Sequence, residues 1–252
     1  MNEKVISWFS CGAASATATK LALREYDDVR IIYQDTGSEH PDNERFLLEC
    51  QDWFGQEIEI AKSEKYKDIW DVFEKTRYLV GVGGARCTTE LKRKVAESII
   101  NWGRNQETEI LGYTVEEKQR VERFIKNNNE RIIDPILVRK ELTKADCLGF
   151  VDRAGIELPM MYKLGYNNNN CIGCVKASNL GYWNKIRKDF PEVFDRMSKV
   201  ERELNATINK KYVKGERIRV FLDELDPDAG KDMEMPEVQC GIICINEFED
   251  MK

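Results

Sequence analysis

The chain has 252 residues, of which 42% are hydrophobic and 33% charged, enough to bury one substantial core with or without an appendage. No apolar run approaches membrane-spanning length, no basic stretch followed by an apolar core opens the chain, and a net charge of −6 is not that of a polycation, so only a local basic face would serve a nucleic acid. A cytoplasmic protein without a membrane partner is expected, and its eight cysteines with a single histidine (His40) point to metal or redox chemistry on thiols rather than to a disulfide scaffold or histidine catalysis.

Val5 to Phe9 reads as a short apolar strand, followed by the small residues Ser10, Cys11, Gly12, Ala13, Ala14 and Ser15 and an alanine-rich helix. A strand, a tight turn and a helix at the start of an α/β domain form a phosphate-friendly junction, because the first N–H groups of the helix lack intrahelical partners and lie at the positive end of its dipole. The alternative is a well-packed first βα unit. Residues 29–34 form a second strand, ending in the turn-rich Asp35-Thr36-Gly37, and residues 43–54 a helix. Alternation at 56–60 predicts a third strand, and 70–78 a helix. The alternation of strands and helices implies a parallel sheet covered on both faces, with ligands beyond the carboxyl ends of the strands. There Asp35 is placed to hold a ribose hydroxyl or, equally, to cap a turn.

Residues 81–85 read as a flexible glycine-rich segment, and Cys87 as lying at a helix N-terminus that would favour its thiolate. A strand at 109–113 precedes Thr114-Val115-Glu116-Glu117, which has capping-box spacing for a helix to about Lys126. Residues 132–137 are extended and broken by Pro135, Thr143 caps a helix to 154, and four asparagines lead into Cys171-Ile172-Gly173-Cys174. A helix interrupted near Pro191 is predicted over 182–211, followed by an acidic, turn-rich tail carrying Cys240 and Cys244. The division expected is an α/β nucleotide-binding unit over 1–180 and a C-terminal helical, cysteine-bearing extension over 181–252 packed on it.

A C-x-x-C is compatible with a redox dithiol, zinc or an iron–sulfur cluster. Cys171 and Cys174 lie late in the chain, after a loop, which suits a metal site better than a thioredoxin-like dithiol; Cys87 and Cys240 or Cys244 are the further candidate thiols. Cys50 and Cys147 fall in helical patterns and read as small buried residues.

These motifs, taken in order, resemble the phosphoadenosine-phosphosulfate reductase family within the adenine nucleotide α-hydrolase (PP-loop) superfamily. Phe9 to Ser15 sits at the family's phosphate loop, and Asp35-Thr36-Gly37 with His40-Pro41 at its segment after strand two. Cys87-Thr88 with Leu91-Lys92 resembles its mid-chain cysteine motif. Gly112-Tyr113-Thr114 with Glu116, Glu117 and Arg120 resembles its glycine-led segment. Tyr162-Lys163-Leu164-Gly165-Tyr166 with Ile172-Gly173-Cys174 and Gln239-Cys240-Gly241-Ile242 complete the series. The Ser-Cys-Gly-Ala-Ala-Ser loop is similar to divergent members found in phages and mobile elements.

The resemblance implies a Rossmann-like fold, an adenosine nucleotide as substrate and, in one branch, a [4Fe-4S] cluster held by a tandem cysteine pair and a later C-x-x-C. Cys87 and Cys171 are 84 residues apart, similar to that branch, but residue 86 is arginine, so Cys87, Cys171 and Cys174 remain, with Cys244 or Cys240 as the fourth ligand or one iron left open. Zinc is the alternative metal. ATP-cleaving relatives carry an aspartate where Ala14 stands here, which tilts the loop away from ATP cleavage. Lys20, Lys92, Arg93 and Arg120 are candidate phosphate partners.

Three readings follow from it. In the first, a sulfonucleotide reductase-like enzyme binds the phosphosulfate across the loop and Asp35; Cys240 attacks the sulfur, and a thiol reductant such as thioredoxin releases sulfite. In the second, an ATP-dependent sulfurtransferase thiolates a nucleobase or nucleic-acid backbone. In the third, a nucleotide-binding protein carries a structural four-cysteine zinc site. The first is favoured over the second, and a homodimer is compatible with all three.

Overall fold

Every residue of β1 (Lys4–Phe9) after Lys4 is buried, as expected of a central strand in a parallel sheet with both faces covered. Successive side chains go to opposite faces. Val5 and Phe9 join the core under α1 (Ala13–Glu25), while Ile6 and Trp8 join Ile32, Ala96 and Ile100 on the other side. The computed structural model describes residues 3–100, 107–231 and 238.

The sheet has the order β3-β2-β1-β4-β5, with every neighbouring pair parallel: β2 is Asp28–Asp35, β3 Glu59–Lys62, β4 Thr108–Ile110 and β5 Ile132–Asp134. The chain runs outward from β1 to β3 and then returns to the other side of β1. This reversal opens a crevice between the carboxyl ends of β1 and β4, the usual ligand position in such sheets. The alanines of α1 bring it close to the sheet, where Ser7 Oγ lies 2.8 Å from Thr19 Oγ1, and its other side packs on the later helix Lys144–Arg153. The α/β class expected from the sequence is the one observed. Among the described residues no helix is long and apolar enough to cross a membrane.

A second apolar cluster lies beyond the strand ends. The helices Leu180–Asp189 and Pro191–Leu204 contribute Trp183 and Met197, and it also takes in Phe73, Leu79 and Tyr166 from earlier segments. Several boundaries differ from expectation. The long helix stops at Leu204, where Asn205 turns left-handed (φ 47°), and residues Asn209–Val213 pair with Glu216–Val220 as an antiparallel hairpin. Lys214 and Gly215 (φ 50° and 85°) make the tight turn that such a hairpin needs. The glycine-rich segment at 81–85 is part of a short hairpin pairing Val80–Gly81 with Gly84–Ala85. Beyond Thr114 the predicted capping box is absent: Glu117 pairs with Arg120, and a turn of 3-10 helix, Val115–Glu117, precedes the α-helix Lys118–Asn127.

Glu201 ties the C-terminal layer together. Its carboxylate is fully buried and accepts from Ile208 N at 2.6 Å and Leu222 N at 2.7 Å, the residues flanking the hairpin. Burial pushes this carboxyl up to about 7, against those two hydrogen bonds.

Candidate functional site

The turn after β1 is locked by one serine. Ser15 Oγ donates to Gly12 O at 2.9 Å and accepts from Ser10 N at 3.0 Å, closing the first turn of α1 on the loop before it. Cys11 takes the left-handed φ of 54°, and its side chain goes into the core, fully buried, with Sγ 3.8 Å from Asn43 O. Burial raises its thiol well above the ordinary value, helped by nearby Cys50 and Glu39. Cys11 fills the core and leaves the cavity wall to its neighbours.

That cavity, about 380 Å3, is lined by Ser10, Gly12, Ala14 and Ser15 on one side and by Gly112, Thr114, Glu116 and Glu117 on the other, with Lys144, Tyr162 and Asn168–Asn170 closing it. It occupies the crevice at the strand reversal. Gly112 is required there: a Cβ on it would stand 2.8 Å from Ser15 N, so the chain after β4 lies directly against the first turn of α1. Lys144 is the one lysine or arginine among the described lining residues; it donates to Asn168 Oδ1 at 2.8 Å, and burial lowers its pKa. Burial works to raise Glu116, but hydrogen bonds from Lys144 N–H and Thr114 outweigh it and hold the carboxyl below its usual range. Asn169, 8% exposed, donates to Cys11 O at 2.5 Å and Asn43 Oδ1 at 2.8 Å, while its own carboxamide oxygen has no partner.

Next to this cavity, three cysteines from two distant segments meet. Cys87, Cys171 and Cys174 line a space of about 100 Å3 together with Thr36, Thr88, Lys92 and Lys176. Asn170 belongs to the walls of both spaces. Each cysteine is placed by a local device. Gly173, left-handed at φ 74°, turns the chain between Cys171 and Cys174. Ile172 N donates to Ser38 O at 2.9 Å and Thr36 Oγ1 lies 3.1 Å from Cys171 Sγ, which pins this turn to the end of β2. Cys87 lies in the first helical turn, Arg86–Thr88, followed by a π segment, Thr89–Arg93. Five residues of α-helix, at about 100° each, would send Cys87 and Lys92 to different faces; the i→i+5 pattern brings both to the same cavity.

The expectation that a helix N-terminus lowers the Cys87 thiol is overturned. Burial raises it, with Cys174 adding to the rise. Burial also pushes Cys171 up to about 12, with Glu39 as the next cause. Lys92 is the counterpart: burial pulls its ammonium down, but Cys171, Glu39, Cys174 and Cys87 leave it above the ordinary lysine value. Three soft sulfur donors with a retained cation suit a thiophilic metal centre. No three His, Cys, Asp or Glu side chains among the described residues stand as a ready site for a single ion.

No family model matches the chain, and no curated protein matches it.

Other expected site residues are placed elsewhere. Asp35 pairs with Lys62 at 2.6 Å and accepts from Gly37 N at 2.7 Å, on a separate cavity with His40 and Glu44. Thr36 faces the cysteines, and Gly37, at φ 64°, makes the turn between the two. Lys20 donates to Trp53 O at 2.6 Å, Arg93 pairs with Glu97 at 2.9 Å, and Arg120 lies over the Tyr113 ring at 5.0 Å; none of them lines the α1 cavity. Cys240 and Cys244 lie outside the described residues. Sequence reasoning gave no site role to Lys144, Tyr162, Asn168–Asn170 or Lys176. Two signals were at hand: the Tyr162–Tyr166 motif, and the asparagine run beside the C-x-x-C.

Proposed function

We propose that the chain is a sulfonucleotide reductase-like enzyme, cytoplasmic, that binds an adenosine phosphosulfate at the start of α1 and transfers or reduces its sulfur. One observation carries the reading: three cysteines from two distant parts of the chain meet in a cavity that shares Asn170 with the α1 cavity. The N–H groups of the first turn of α1 offer donors and a positive dipole end to a phosphate, with Lys144 opposite. Ala14 leaves this turn without a carboxylate.

In this reading Cys240 thiolate attacks the sulfur of the phosphosulfate. The new S–S bond forms as the sulfur–oxygen bond to the phosphate breaks, and the nucleoside phosphate leaves with the electron pair. A dithiol reductant of the thioredoxin class then displaces sulfite and is oxidised to its disulfide, returning Cys240 as the thiol. Cys87, Cys171 and Cys174 would hold a [4Fe-4S] cluster, or zinc, with Cys244 or an open position as the fourth. When bound, the centre supplies a metal charge that polarises a nearby sulfonyl or phosphoryl oxygen. Lys92 keeps a cation beside the same thiols.

Thermal shift tests the ligand. Adenosine phosphosulfate or its 3′-phosphorylated form is expected to raise the melting temperature, and ATP to do so less. Gly112→Ala, whose new methyl meets the backbone of Ser15, is expected to cut that binding by about tenfold or more, roughly 1.4 kcal/mol. Tight binding of ATP alone overturns the reading. Cys240→Ser is expected to abolish sulfite release while leaving ligand binding intact.

A further inference from the structure

The segment that follows β4 has two sides. Gly112 and Thr114 line the α1 cavity, whereas Leu111 and Tyr113 line a second groove of about 350 Å3. Trp8 and Gln34 from the central strands also border this groove, with Phe124 and Arg131 contributed by later segments. Among the described residues the two cavities share no lining residue, yet both adjoin the cysteines: Asn170 joins the α1 cavity to them, and Thr88 with Lys92 joins the groove to them. The thiols therefore stand between two separate spaces. A ligand with its phosphate on α1 would occupy one and leave the other for a second molecule.

The lining of the groove states what that molecule is. Among the described residues Lys92, Arg93 and Arg131 border it and no aspartate or glutamate does, in a chain whose net charge is −6. Arg93, on an exposed side chain, pairs with Glu97 through Nε, which leaves its other N–H donors to meet a phosphate, while Arg131 is held on Glu109 and the Phe124 ring. The rings are partly exposed: Tyr113 and Phe124 lie 6.2 Å apart, with the Arg131 guanidinium 4.9 Å over Phe124. Aromatic rings and arginine planes beside cations make a surface on which bases stack while phosphates are neutralised. A protein surface would need a broad, flat contact, and this site is a concave space of small-molecule size.

We propose that this groove is a second-substrate site that takes a nucleobase with its phosphate, free or within a single strand, and presents it to the cysteine cavity. The proposal rests on the reading above only in placing the reaction beside the cysteine cavity, where Cys87, Cys171 and Cys174 would hold the metal centre; it does not depend on what binds α1.

Fluorescence anisotropy with labelled short single-stranded RNA and DNA, alongside calorimetry with the nucleoside monophosphates, tests it on the full chain. Binding is expected, and Tyr113→Ala should weaken it by about 5- to 150-fold, the loss of one stacked base. Arg93→Glu, on an exposed side chain, should weaken it by a factor that grows as salt is lowered. Strands that bind far more tightly than monophosphates identify a nucleic acid, and equal affinities identify a free nucleotide; both support the site. Ser15→Asp, which places a negative charge on the α1 turn, should abolish sulfonucleotide binding and leave the groove ligand bound. If no sulfonucleotide binds the parent chain but a strand binds through Tyr113 and Arg93, the proposed function fails and this site stands. Absence of binding by every probe, affinities unchanged in both groove variants, or loss of thioredoxin docking in their place overturns it.

Discussion

At the scale of single residues, three buried polar side chains each hold a segment in place. Ser15 closes the α1 turn, Asn169 joins that turn to Asn43, and Glu201 holds both ends of the C-terminal hairpin. Glu201 makes a pH-dependent contribution whose sign follows from its environment. Its folded pKa, about 7, lies above the unfolded carboxylate value. Between the two, the unfolded chain loses its proton while the folded one keeps it. The contribution of Glu201 to stability is therefore fully present below the unfolded value and is lost as pH rises through 7. Relative to Glu201→Gln, which stays neutral, the parent chain is expected to lose about 2–3 kcal/mol between pH 4.5 and pH 8. Urea unfolding of the two chains across that range checks it, and parallel curves would refute it.

At the scale of elements, the positions of β1, α1, β2 and the helix Asn43–Phe54 were legible because each is strongly patterned and closed by glycine, proline or a charged turn. The later boundaries were not. Asn209–Val213 follows a helix and contains lysines that suit either state, and only its pairing with Glu216–Val220 makes it a strand. The site was half legible for a similar reason. Cys87, Cys171 and Cys174 announce themselves by chemistry, whereas Lys144 and the asparagines are ordinary surface residues until the fold brings them to the α1 cavity. Asp35 had the position of a ribose ligand along the chain, but its pairing with Lys62 turns it toward a different cavity. The cap of the helix Lys144–Arg153 was read correctly: Thr143 Oγ1 accepts from Asp146 N at 3.1 Å, and Asp146 accepts from Thr143 N at 3.0 Å. Thr143→Ala removes the first of these bonds. It is expected to cost about 1 kcal/mol, a fall of roughly 2–4 °C in Tm for a chain of this size. Since Lys144 N also donates to Glu116 at 2.9 Å, ligand binding at α1 should weaken alongside; an unchanged melt would show that the cap does not hold this helix.

At the scale of the molecule, the cysteine cavity is where the sheet meets the C-terminal layer. Cys87 comes from the helical turn after the short hairpin, Thr36 from the end of β2, and Cys171 with Cys174 from the loop that leads into Leu180–Asp189. A metal centre held by these three thiols, as proposed, would cross-link segments that the unfolded chain leaves far apart, so its binding energy would become folding energy. Burial, by raising Cys87 and Cys171, leaves the metal-free thiols protonated, and loading would release those protons. Anaerobic preparation is therefore expected to give a protein with bound iron and sulfide that melts higher than the same protein after chelation. With the metal at about a thousand times its dissociation constant, the difference is about 4 kcal/mol. Cys174→Ser should lower the metal content and remove that stabilisation, while far-UV circular dichroism shows the parallel sheet and its helices retained. A colourless protein with stoichiometric zinc that shows the same stabilisation would keep the cross-link and replace iron as its metal. A melting temperature indifferent to chelation, with Cys174→Ser behaving as the parent, would remove the metal centre from the proposed mechanism.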